Sequence, residues 1–246
     1  MIPKKIHYCW FGKNEMDDRI QQYIKTWRSI LKDYEFIMWD ETNFDLNMCQ
    51  FTKEAYASKK YAFVSDVVRL YALYEQGGIY LDTDVEIVRS LDPFLDKELL
   101  LGYDNPYVPI IATCLVGAEK GNAFIKHILD IYQMRCFILD NGEMALEPNT
   151  LMFSNEFEKF YGLRLINNNK TQDIMPRIQI YPAEVFHAYD LVSGKVYRTE
   201  NTVAIHWHSL LWTSWKTSFI RFFRQRVIVP VIGAKNYLKI VQRIKR

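Results

Sequence analysis

The sequence predicts one domain of mixed α/β architecture, followed by basic amphipathic helices at its C-terminal end. Three observations carry that reading. The first forty residues read strand, helix, strand; a second helix closes on Gly77-Gly78 and runs through a short apolar strand into Asp82-Thr83-Asp84; and no repeat, low-complexity run or Gly/Ser linker divides the chain. At 246 residues, 49 % apolar and 24 % charged, the composition excludes disordered, fibrous and collagen-like chains.

Taken in order, Ile6 to Phe11 is a short apolar run ending at Gly12, a strand. From Asp17 to Leu31, Ile20, Tyr23, Ile24, Trp27, Ile30 and Leu31 fall on one helical face. Glu35 to Trp39 is the second strand, and Thr52 to Lys60 a helix. Val64, Val67, Val68, Tyr71 and Tyr74 keep helical spacing up to Gly77, a residue type that stops helices by adopting positive φ. Ile79 to Leu81 is then a buried strand. Beyond it, Leu99–Gly102, 110–116, 178–181 and 203–206 read as strands, 122–137 and 151–161 as helices, and 167–169 as a turn. Most of the 37 aromatic residues fall in these periodic segments and are expected in the core.

Cys9, Cys49, Cys114 and Cys136 are far apart and form no CxxC pair, so buried free thiols are expected rather than a disulfide framework. The N-terminus has no continuous apolar stretch that reads as a signal peptide, and VIVPVIGA is far too short to span a bilayer. The expectation is a cytoplasmic protein, peripheral at most on the inner face of the membrane.

Asp82 and Asp84 are two apart, so on an extended backbone both carboxylates point to one side. Two facing anions call for a cation, and Mg²⁺ or Mn²⁺ with hard oxygen ligands would in turn hold a diphosphate. On spacing alone a solvated acidic turn is the alternative, but open α/β sheets bind ligands at strand carboxyl ends, where these acids lie. Asp66 and Arg69, three apart, share a helix face. They read either as a surface ion pair or as a carboxylate and guanidinium placed to bind vicinal sugar hydroxyls.

The run SDVVRLYALYEQGGIYLDTDV resembles the signature of the DXD-sugar-binding glycosyltransferases of family 32. The opening IPKKIHYCWFG is similar to that family's first strand, and AIHWHSLLWTSW to its closing His/Trp segment. The resemblance covers about residues 1–215. It implies a GT-A-like, Rossmann-like fold with a mixed sheet flanked by helices, and metal-dependent transfer from a nucleotide-diphosphate sugar, a UDP-sugar favoured, to a hydroxyl of a glycan or lipid-linked acceptor. Retention of anomeric configuration and a place in capsule or other surface-polysaccharide synthesis are implied as well. Residue by residue, it implies Asp84 as direct metal ligand, Asp82 on the donor sugar or ribose with or without a metal role, and Asp66 and Arg69 on donor-sugar hydroxyls. Tyr80 would lie near the sugar-diphosphate, Trp10 near the base and Trp215 against the diphosphate. The family commonly reads Ile-His-His where this chain has Ile205-His206-Trp207-His208, which makes His206, ahead of His208, the third metal ligand. A non-catalytic sugar-nucleotide-binding or membrane-binding component of a polysaccharide-assembly complex is the alternative. On this reading Arg69→Ala impairs donor use without loss of melting temperature.

The formal charge of +2 hides a division. Residues 1–215 carry 22 basic against 29 acidic side chains, a net of −7, whereas 216–246 carry nine basic and no acidic ones. In that tail Tyr237, Ile240, Val241 and Ile244 share one helical face and Lys235, Lys239, Arg243 and Arg246 another, with Pro230 and Gly233 expected to separate two segments. A catalytic domain over 1–215 and an anionic-membrane-binding tail over 216–246 is the expected division, with no nucleic-acid partner.

Overall fold

The computed structural model describes residues 1–209 and 220–244, with side chains to 241. Its elements are β1 (Lys5–Cys9), α1 (Asp18–Ile30), β2 (Glu35–Trp39), α2 (Gln50–Ala57), α3 (Tyr61–Gln76), β3 (Gly78–Leu81) and β4 (Val85–Ile87). A 3₁₀ turn, Asp92–Phe94, leads to β5 (Leu99–Gly102), β6 (Leu115–Ala118), α4 (Ala123–Gln133), α5 (Asn149–Tyr161), β7 (Gln172–Met175), β8 (Ile178–Tyr181) and α6 (Ala183–Phe186). β9 (Tyr189–Asp190), β10 (Lys195–Val196) and β11 (Ala204–His206) follow, and the tail carries Arg224–Ile228, Val229–Ile232 and Ala234–Ile244.

Local chemistry sets the ends of these helices. Asp17 caps α1 by accepting from the Ile20 N–H, and Asn122 caps α4 by accepting from Phe124 and Ile125. Gly77, at φ +65, stops α3 as expected.

The main sheet has seven strands in the order β2-β1-β3-β6-β5-β8-β7. β1 lies parallel to β2 and β3, β6 is antiparallel to β3 and β5, and β5 is parallel to β8. The sheet is therefore mixed, with helices against it, the α/β arrangement expected. One core layer joins it to α2, α3, α4 and α5 through Val64, Val68, Leu73, Phe124 and Phe157; a second joins it to α1 through Trp27 and Leu31. Parallel β1 and β3 end at the same edge. Antiparallel β6 begins there, with Leu81 paired to Leu115, so the loop before β6 meets the Asp82 end of β3.

Three expectations need correction. The strand expected over 110–116 starts only at Leu115: Ile111 makes just an isolated antiparallel bridge with Tyr103, and the Thr113 carbonyl accepts from Arg69 Nη1 (2.6 Å) instead of from a strand. Cys136 is exposed, although Cys9, Cys49 and Cys114 are buried free thiols. In the tail the break falls at Gly233, at φ +80, and Pro230 sits inside helix. A π-helical turn over Arg224–Ile228 precedes it, which relieves the clash a proline makes with the preceding helical turn.

Candidate active site

The carboxyl ends of β1 and β3, the first half of α3, the N-terminus of α5 and the residues after β11 enclose a cavity of about 360 Å³. Trp10, Asp66, Arg69, Tyr80, Asp82, Asp84 and His206 all line it. Trp215 lies outside the described residues.

Asp82 and Asp84 do not share a face by strand alternation. The chain turns at Asp82-Thr83-Asp84, closed by the Val85 N–H donating to the Asp82 carbonyl at 3.1 Å. β4 then pairs antiparallel with β11, His206 opposite Val85, which sets an imidazole beside Asp84. One oxygen of each carboxylate and one nitrogen of His206 lie within 4.8 Å of one another.

The two acids have different surroundings. Asp82 Oδ1 accepts from the Tyr80 hydroxyl at 2.8 Å and lies 3.5 Å from Arg69 Nη2. Asp84 Oδ2 accepts from Ser209 N at 2.8 Å and Oγ at 3.0 Å, and its Oδ1 is 3.2 Å from His206 Nε2. Burial alone would raise the Asp84 pKa, but the charge and hydrogen bond of His206 and the Ser209 N–H outweigh it and hold Asp84 well below the usual carboxylate range. Burial likewise opposes a charged His206, and Cys114 and Asp84 outweigh that and raise it well above an ordinary imidazole.

Arg69 is 6 % exposed and sits at the centre of the site. Its Nη2 pairs with Asp66 at 2.9 Å, Nη1 donates to the Thr113 carbonyl, Nε donates to the Ser65 carbonyl at 3.2 Å, and the guanidinium lies 4.5 Å over the Tyr80 ring. Of its five N–H groups, one on Nη1 and the looser contact toward Asp82 remain for a ligand. Burial lifts the Asp66 carboxyl to about 7, against the pull of Arg69 and with a push from Asp82.

Asn149 is a residue the sequence reading missed. Its Nδ2 donates to Asp66 Oδ1 at 2.7 Å, and its Oδ1 accepts from Thr113 Oγ1 at 2.8 Å. It arrives from the start of α5, 83 residues beyond Asp66, and no local motif marks it. Ser209 was also missed, because its link to Asp84 spans 125 residues. His208 lines the cavity with φ +47, uncommon for a non-glycine residue, and its ring lies 3.8 Å from that of His206.

Residues 17–101 match the family model described as a glycosyltransferase sugar-binding region containing a DXD motif. The chain carries a DXD-type glycosyltransferase region. That region contains Asp66, Arg69, Tyr80, Asp82 and Asp84, while Asn149 and His206 reach the same cavity from outside it. The chain is 30 % identical over 136 residues to inositol phosphoceramide mannosyltransferase 3 of Schizosaccharomyces pombe, covering 52 % of this chain and 36 % of that protein. It is 25 % identical over 180 residues to subversion of eukaryotic traffic protein A of Legionella pneumophila, covering 59 % and 27 %. The chain thus spans about a third of the length of these curated relatives. Among solved structures it is similar to the PaToxG glycosyltransferase (TM-score 0.47, 18 % identity, 65 % of this chain and 69 % of that one). A second is a glycosyltransferase involved in glycosylation of the major capsid of PBCV-1 (TM-score 0.44, 12 % identity, 89 % and 96 %).

The donor set beside the DXD turn, two carboxylates and an imidazole, suits a hard or borderline divalent cation such as Mg²⁺ or Mn²⁺. The residues fit such an ion: three ligand atoms converge at the cavity wall, and the second carboxylate is already anchored by Ser209.

Proposed function

We propose that this chain is a metal-dependent glycosyltransferase. It moves the sugar of a nucleotide-diphosphate sugar, a UDP-sugar favoured, onto a hydroxyl of a glycan or lipid-linked acceptor in surface-polysaccharide or capsule synthesis, with retention of configuration. The observation that carries the reading is the meeting of two chemically distinct sets in one cavity: Asp82, Asp84 and His206 on one wall, Asp66, Arg69 and Asn149 on the other.

Asp84 and His206, with Asp82, would hold Mn²⁺ or Mg²⁺, which when bound neutralises charge developing on the departing diphosphate. Asp66 is the sugar-binding carboxylate. Arg69 and Asn149 both engage its Oδ1, which leaves Oδ2 to accept from a sugar hydroxyl. Arg69 acts chiefly by fixing Asp66 and offers one remaining N–H to the sugar. Tyr80 donates to Asp82 and so orients that carboxylate toward the donor side. Trp10, at the end of β1, supplies a ring for the base, and Trp215 is retained against the diphosphate on the resemblance alone.

The test is release of nucleoside diphosphate, and transfer of labelled sugar, from a panel of UDP- and GDP-sugars with and without Mn²⁺. Asp84→Asn keeps an oxygen for Ser209 and should lower metal-dependent turnover at least about 100-fold with the fold retained. Undiminished turnover in that variant rejects the assignment.

For the tail we propose attachment to an anionic membrane surface, with the catalytic domain over 1–215 on the cytoplasmic side. Ile220, Phe222 and Val231 are 66, 60 and 82 % exposed, and Arg226, Lys235 and Lys239 are exposed beside them. Arg221 and Arg224 instead bond the domain, at the His208 carbonyl and Tyr189 hydroxyl and at the Leu191 carbonyl. Among the described residues no helix is long and apolar enough to cross a membrane. A membrane-borne acceptor agrees with the name of the fission-yeast relative, a mannosyltransferase of inositol phosphoceramide.

A further inference from the structure

Beneath the DXD wall the same imidazole belongs to a second donor set of different chemistry. Cys114, His187 and His206 each offer one ligand atom within 4.8 Å of the others. Cys114 is 2 % and His187 1 % exposed. Cys114 Sγ and His187 Nε2 are 2.9 Å apart. The other nitrogen of that ring, His187 Nδ1, is buried without a partner, and so is Nδ1 of His206. A buried imidazole nitrogen without a hydrogen-bond partner is costly to leave dry, and of the two it is His206 Nδ1 that is free for this donor set, because His187 already turns its Nε2 to Cys114.

We propose that Cys114, His187 and His206 form a thiophilic metal site, adjoining the DXD site and sharing His206 with it, suited to Zn²⁺ or another borderline-soft divalent ion. Thiolate and imidazole are both zinc ligands, and three protein ligands leave a fourth position open to water. Hard-oxygen cations such as Mg²⁺ have no preference for it, so the two neighbouring sites differ in what they select. On binding, the Cys114 S–H bond breaks, the proton leaves to solvent, the sulfur pair forms the bond to the metal, and the metal sheds water. A tetrahedral ion holds such ligands about 3.5 Å apart, so Cys114 Sγ and His187 Nε2 separate by about 0.6 Å from their 2.9 Å contact. The site borders the cavity through His206 and through Thr113, the neighbour of Cys114, both of which line it. The site also gives His206 a second task. With Nδ1 on the soft metal, its Nε2, 3.2 Å from Asp84 Oδ1, still faces the DXD site, so one imidazole serves both sites through its two nitrogens.

The inference does not depend on transfer activity and is tested without it. The full chain, stripped with chelator under reducing conditions, is titrated with Co²⁺ and then back-titrated with Zn²⁺. The expected result is a near-ultraviolet thiolate-to-cobalt band with strong tetrahedral visible absorption, displaced by Zn²⁺. It should be lost in Cys114→Ser, weakened roughly 100-fold in affinity in His187→Gln, and kept in Asp84→Asn. Zinc-edge X-ray absorption on the unaltered chain needs no variant and should show one sulfur at about 2.3 Å with nitrogen ligands at about 2.0–2.1 Å. No thiolate band, a band that survives Cys114→Ser, or a shell of nitrogen and oxygen only would overturn the proposal.

Discussion

His7 shows how a single side chain sets a pH dependence. Its Nδ1 accepts from Trp39 Nε1 at 3.2 Å, so the proton sits on Nε2, which donates to the Gly77 carbonyl at 2.8 Å. Burial lowers its pKa from 6.5 to about 4, against a smaller favourable pull from Gly77. The unfolded chain therefore binds a proton that the folded chain refuses between those values, and stability falls as pH drops through that window. The expected loss is about 2 kcal/mol by pH 5, and urea unfolding at pH 7 and pH 5 should show a weaker pH dependence in His7→Gln. Asp66, lifted to about 7 by burial, loses its charge as pH falls below neutrality, so the donor KM should rise on that side at saturating metal, and Asp66→Asn should abolish this limb. Arg69 revises the sequence reading. An arginine buried among Asp66, Asp82 and the Thr113 carbonyl cannot be removed without leaving buried charge uncompensated, so Arg69→Ala should cost about 3–5 kcal/mol in chemical denaturation as well as donor use. The pair Asp66/Arg69 was legible in sequence because both sit on one helix. Asn149 was not, because its partnership is made only in three dimensions.

At the scale of elements, legibility followed periodicity and apolar content. β2, β5 and β8 stand where the pattern puts them, and α1 covers its expected segment to within a residue at each end, with Asp17 as its cap. β7 was missed because Gln172–Met175 alternates around half-buried and exposed edge positions and lacks an apolar run. β4 was missed because three residues after an acidic turn carry too little pattern, yet β4 determines where His206 goes. The joint between α3 and β3 is the element boundary most open to test. Gly78 has φ +112, and an added Cβ would lie 2.8 Å from the Lys5 carbonyl oxygen and 2.9 Å from Lys5 Cβ. Backbone strain and a clash with β1 combine, and Gly78→Ala should destabilise by about 2–4 kcal/mol in thermal or urea unfolding, with donor affinity falling as the Asp82 turn shifts.

For the whole molecule, the near-neutral total charge gives way to an acidic domain with a basic tail, and the structure divides that tail again. Arg221, Arg224 and Gln225 hold its first part to the segment 189–191, whereas Ala234–Ile244 leaves Lys235, Lys239 and Ile240 exposed. Deleting 234–246 should therefore abolish sedimentation with phosphatidylserine vesicles while leaving turnover on a soluble acceptor unchanged, and undiminished sedimentation would exclude the terminal helix as the anchor. The pairing of Val85 with His206 has a further consequence in time. A ribosome that has delivered the entire DXD motif still has more than a hundred residues to make before His206, the imidazole that meets Asp84 in the fold, exists. On the proposed function, nascent or truncated chains would hold the sugar-recognising residues without a finished reaction centre, and the capacity to break a sugar nucleotide would arrive only with nearly the whole fold.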